Sequence, residues 1–119
     1  MVMRGTHILL LAMLLASPAL AHAFLERASP PVGSELPASP PGVTITFTEG
    51  VEPAFSTIEV QDQHGTRVDK DDLRLTGSEG RQLTVSLPKL QAGQYTVIWH
   101  ATSVDTHKTE GHFTFSVLP

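Results

Sequence analysis

Five short runs in this chain alternate apolar and polar residues with period two. They are Val43-Thr44-Ile45-Thr46-Phe47-Thr48, Thr57-Ile58-Glu59-Val60-Gln61, Gln82-Leu83-Thr84-Val85-Ser86-Leu87, Gln94-Tyr95-Thr96-Val97-Ile98-Trp99-His100-Ala101 and His112-Phe113-Thr114-Phe115-Ser116-Val117. That period sends every second side chain to one face of an extended chain, so each run reads as a half-buried β-strand. Asp62-Gln63-His64-Gly65, Pro88 and Ala92-Gly93 supply turns between them. Six or seven short strands with Gly/Pro turns predict an all-β, antiparallel sandwich of immunoglobulin-like type. The expected inner faces are Val43/Ile45/Phe47, Ile58/Val60, Leu83/Val85/Leu87, Tyr95/Val97/Trp99 and Phe113/Phe115/Val117. Pro30, Pro31, Pro37, Pro40 and Pro41 make the preceding segment an extended crossing loop. Asp69 to Gly80 is charged and irregular and reads as loop with room for a short strand.

At 119 residues the chain is one domain. It has no Cys, so it carries no disulfide, zinc-thiolate site or cysteine nucleophile, and Trp99 and the phenylalanines must fill the core unaided. Eight Lys+Arg against twelve Asp+Glu argue against nucleic acid, which demands clustered cations. No G-x-S-x-G elbow supports a hydrolase.

Residues 1–21 read as a secretory signal to be removed. Arg4 leads into the apolar run Ile8 to Ala16, too short to span a bilayer. Pro18 breaks it before Ala19-Leu20-Ala21, an A-x-A cleavage pattern, and Ala21-His22-Ala23 offers a second, overlapping cut. The first leaves His22 as the new terminus, and the second deletes it. The first is favoured because it keeps a six-residue stretch, Ala16 to Ala21, between apolar core and cut. The exported domain, 22–119, then has no Met as well as no Cys, because Met1, Met3 and Met13 leave with the signal. It has no membrane span.

Candidate chemistry lies in Ser103-Val104-Asp105-Thr106-His107, between the last two strands. In an extended backbone residues i and i+2 project to the same side, so the Asp105 carboxylate and the His107 imidazole should converge. The triplet alone describes a solvated turn equally well. His22 changes the weighting, because a terminal histidine offers an α-amine and a ring nitrogen to one cation. With Asp105 and His107 the set is three nitrogens and one oxygen, which suits Cu(II) in a tetragonal plane. A frayed, idle end is the plain alternative for His22.

His22-Ala23-Phe24-Leu25, Ala28-Ser29-Pro30-Pro31, Phe47-Thr48-Glu49, Ala92 to Trp99, Ser103 to His107 and Gly111 to Phe115 together resemble the CopC family of periplasmic copper-binding proteins. The resemblance spans nearly the whole of 22–119. It implies a seven-stranded Greek-key β-barrel or sandwich carrying one Cu(II) at one end through His22 (amine and imidazole), Asp105 and His107. It also implies an outer role for Glu49, accepting a hydrogen bond from a ligand. His112 is a candidate further donor or supporting group. The best-studied members carry a methionine-rich Cu(I) loop, and here the equivalent stretch, Gln61 to Arg81, has no Met. A single Cu(II) site is therefore expected, with His64 and His100 as surface residues. The implied function is a periplasmic copper carrier or buffer, not an enzyme, handing the ion to a CopD-type membrane importer or another periplasmic copper protein. Two other readings remain open on the sequence: a copper-dependent oxidative enzyme with an N-terminal histidine brace, and a metal-free immunoglobulin-like interaction module.

Overall fold

The computed structural model describes residues 22–119. The expected leader, 1–21, lies outside the described residues. Eight strands form two four-stranded sheets: β1 (Leu25–Ser29), β2 (Glu35–Leu36), β3 (Gly42–Phe47), β4 (Thr57–Gln61), β5 (Arg74–Thr76), β6 (Gln82–Ser86), β7 (Gly93–Thr102) and β8 (Lys108–Val117). One sheet has the order β1-β3-β6-β5 and the other β2-β8-β7-β4, the arrangement of an immunoglobulin domain. A single 3-10 turn, Pro53–Phe55, is the helical element among the described residues. None of their helices is long and apolar enough to cross a membrane.

All five alternating runs are strands, and every residue expected on an inner face is buried, with Val43, Ile45, Phe47, Val60, Leu83, Val85 and Val97 wholly so. The period-two pattern carries this because the two sheets can cover only one face of each strand. The strand count and direction differ from expectation. The proline-rich crossing holds β2, which pairs parallel with β8 through Glu35↔Ser116 and Leu36↔Val117, so the sandwich is not wholly antiparallel. Two residues are too few to show an alternating pattern. The charged 69–80 segment contributes β5 through Arg74↔Thr84 and Thr76↔Gln82.

Two aromatic contacts mark the two ends of the core. Tyr95 stacks on Phe115 at 5.5 Å, and its hydroxyl donates to the Gln91 carbonyl at 2.7 Å. Such a tie from this strand, β7, back to the preceding corner is a habit of immunoglobulin-like domains. Toward the other end Trp99 meets Phe47 edge-on at 5.3 Å. Gly111 lies opposite Trp99 on β8, and a Cβ there would stand 2.6 Å from the indole ring. That close approach needs glycine.

Candidate metal site

The site end is assembled from the chain start, the loop after β3 and the β7–β8 connection. Ala23 is fully buried and anchors the start of the chain in the core. The Thr109 hydroxyl donates to the Ala23 carbonyl at 2.5 Å. The Phe24 amide donates to Thr48 Oγ1 at 2.9 Å, and the Thr48 amide returns a bond to the Phe24 carbonyl at 2.8 Å. The Thr48 hydroxyl also reaches the His22 carbonyl at 3.3 Å. Backbone from the His22 carbonyl onward is thereby fixed, and the His22 ring stands 4.5 Å from that of His107, tilted by 43°.

β7 and β8 run one and four residues further toward this end than the alternating pattern indicates, and close through Thr102↔Lys108. The β8 extension is invisible in hydropathy because Lys108, Thr109, Glu110 and Gly111 are polar or small. Asp105-Thr106-His107 is accordingly not extended, as the spacing argument supposed. Ser103 to His107 is a tight loop: the Thr106 amide donates to the Ser103 carbonyl at 2.8 Å, the Ser103 amide donates to the His107 carbonyl at 2.9 Å, and Thr106 has φ +73°. A turn followed by a left-handed residue is a standard hairpin closure. The carboxylate and imidazole still converge, with Asp105 Oδ2 3.2 Å from His107 Nδ1. The agent is Ser103, 1% exposed, whose hydroxyl donates to the Asp105 carboxylate and accepts the His107 amide at 3.2 Å. Foremost the Ser103 hydrogen bond, then those from His107, hold the Asp105 carboxyl below its ordinary range, against a smaller opposing effect of burial.

These donors form a pair, Asp105 with His107, against which the His22 ring is packed. Among the described residues no three His, Asp or Glu side chains are already gathered around a common point suited to a metal ion. The His22 nitrogen is a peptide nitrogen in the 119-residue chain. A separation of 3.2 Å is near that of two neighbouring donors on one ion, about 2.8 Å for bonds of about 2.0 Å at right angles. It equally allows the carboxylate to orient the ring by a hydrogen bond.

The remaining candidates fall apart from this pair. Glu49 is exposed, between Thr48, which holds the chain start, and Gly50, whose carbonyl accepts the Val104 amide at 3.0 Å. His112 is exposed on β8, opposite Ile98, and about 17 Å of extended chain separates it from His107, so the structure does not bring the two together. His64 is exposed in the turn after β4. His100 is exposed on β7, opposite Glu110, and shares a groove with His22. Thr48 and Thr109 went unnoticed in the sequence, because their bonds span 26 and 86 residues and leave no local pattern.

Fold and site define a class: an immunoglobulin-like sandwich with an Asp105–His107 pair and the His22 ring at one pole. A family model described as the CopC domain matches residues 25–118, and the chain belongs to the CopC family. Among curated relatives, the protein YobA of Escherichia coli (strain K12) is 39% identical over 82% of this chain and 79% of its own. The copper transport protein CutJ of Bacillus subtilis (strain 168) is 36% identical over 92% of this chain, which spans only 20% of that protein. Among solved structures, CopC from Methylosinus trichosporium OB3b superposes with a TM-score of 0.77 at 38% identity, covering 82% of this chain and 95% of that one. PcoC, a methionine-rich copper resistance protein from Escherichia coli, gives 0.69 at 27% identity over 82% and 99%.

Proposed function

We propose that this protein, cut between Ala21 and His22, binds one copper(II) ion through the His22 amine and imidazole, Asp105 and His107. It serves as a periplasmic carrier or buffer and passes the ion to a CopD-type membrane importer or another copper protein. The observation that carries this reading is the packing of the His22 ring 4.5 Å from that of His107, beside an ionised Asp105. Ala23 supports the position of the cut, because starting the chain at Phe24 would remove a residue that fills the core and accepts the Thr109 bond. Residues 22–119 contain neither Met nor Cys, so the soft donors preferred by copper(I) are absent from them. Kinship with a copper transport protein and a copper resistance protein supports copper as the cargo. The task is capture and release, with no bond of a substrate made or broken. Glu49 takes an outer role, accepting a hydrogen bond from a ligand, and His112 takes no part.

The test is an intact mass of the exported protein followed by equilibrium dialysis and electron paramagnetic resonance with copper(II). The expected result is a chain beginning at His22 that retains one ion with a nitrogen-rich tetragonal signal. Binding weakens in acid because amine and imidazole donors must shed protons to bind. A chain beginning at Phe24, or one leaving copper(II) free, overturns the reading.

A further inference from the structure

Of the five phenylalanines, Phe47, Phe113 and Phe115 are buried, whereas Phe24 and Phe55 are 50% and 71% exposed. Both exposed rings line one groove, together with His22, His100, Lys108 and Glu110. Val104, 63% exposed, lies in the neighbouring loop between Ser103 and Asp105. Half of the exposed large hydrophobic residues among those described thus sit at the pole that bears the metal donors, where nothing in the fold requires them. Phe55 is held there deliberately by its backbone: its carbonyl accepts the Thr102 hydroxyl at 2.7 Å while its ring points out of the core.

The charge around these rings has its own pattern. Glu26, Glu59, Asp69, Asp71, Asp72 and Glu79 each have an arginine within 4.0 Å. Glu49, Glu52 and Glu110, all near this pole, form no ion pair among the described residues, as is also true of Glu35 and Asp62 elsewhere. The cations nearby are Lys108, in the groove with Glu110, and Arg81, which donates to the Phe47 carbonyl at 2.8 Å and pairs with Glu26 and Glu79. Exposed aromatics beside three carboxylates without an ion-pair partner are the composition of a recognition surface rather than of a solvated end.

We infer that this pole is a docking face for a copper-accepting protein that presents basic side chains around an apolar contact, with Phe55 as the principal anchor. The inference rests on the copper reading above and identifies the receiver by its surface chemistry. The His107 side chain is 54% exposed and Asp105 35%, so an acceptor that exchanges ligands with the bound ion must touch this face.

Two synthetic acceptors test it. Both begin Gly-Gly-His, a copper(II)-binding terminus. One continues with alternating Leu and Lys, the other with alternating Leu and Glu. Copper-loaded protein starting at His22 is mixed with each in excess, and transfer is followed by stopped-flow absorbance. The basic peptide is expected to take copper about ten-fold faster at low ionic strength, with the advantage collapsing in about 0.5 M salt. Phe55→Ser should slow that transfer about five-fold and leave unchanged both copper affinity and stripping by neutral phenanthroline. Equal rates for the two peptides, or a Phe55→Ser rate like that of the parent, overturn the docking face while leaving copper binding intact. Dimerisation on copper loading, seen by sedimentation and lost in Phe55→Ser, would overturn it by giving the face to a second copy. A protein that retains no copper ends both readings.

Discussion

At one end of the sandwich Tyr95 stacks on Phe115, its hydroxyl is tied to Gln91, and Leu90 is buried beside it. At the other end Phe24 and Phe55 stand in solvent around His22. Aromatic rings serve cohesion at the first end, whereas at the second Trp99 and Phe47 pack inside and two further rings are left uncovered. A buried phenylalanine is worth about 1.5–3 kcal/mol over an exposed one, so the second end forgoes stability that the first collects. That is the expected division in a small domain: packing is concentrated where nothing happens, and loosened where a ligand must come and go.

Substitutions at the two ends should therefore read out differently. The largest effect is expected for His107→Ala, which should weaken copper(II) by at least about 100-fold in chelator competition while moving the thermal midpoint of the metal-free protein little. Retention of copper would mean the donor pair is not the site. Gly111→Ala forces a methyl against the Trp99 ring, where the Cβ would stand 2.6 Å away. Overpacking of this kind costs about 1–3 kcal/mol, so the midpoint should fall by several degrees or more in a scanning calorimeter. Tyr95→Phe removes one hydrogen bond at the closed end, about 1 kcal/mol, and should lower the midpoint with no change in copper affinity. Equal loss of copper and stability from Tyr95→Phe would show that the ends are coupled. His112→Ala should change neither quantity.

A third region sharpens the contrast through pH. Burial of Asp69 pushes its carboxyl upward, but the hydrogen bonds from Arg67 and from the Val60 and Asp71 amides outweigh it and leave the carboxyl below its ordinary range. A native value lowered in this way stabilises the fold above the ordinary carboxylate range. The contribution is lost as pH falls through the lowered native value. Asp69→Asn should flatten the acid limb of the unfolding curve. An unchanged limb would mean that Arg67 and Asp69 contribute nothing measurable.

The sandwich was legible in the sequence because each long strand buries one face, and burial writes itself as period two. All fourteen residues expected inside are inside. What lay hidden was either too short or too polar to show a period, as with Glu35–Leu36, Arg74–Thr76 and the first four residues of β8. At the site, Asp105 and His107 converge as their spacing suggested, but through a turn built on Ser103 and Thr106 rather than along a strand. Local sequence carries spacing and not the sign of φ, so it could not distinguish the two. Nor could it show Thr48 and Thr109 meeting the chain start, since those contacts exist only once both sheets have formed.

Ala23 has a consequence for how the ligand end is maintained. A terminus that merely dangled could be trimmed by exopeptidases or cut raggedly without harm to the domain. Here the sandwich interior measures the chain from within, so shortening past His22 opens a void and drops a hydrogen bond. If the chain is cut before His22 as proposed, the fold would act as a ruler for its first residue, and a molecule cut before Phe24 would be less stable with or without metal.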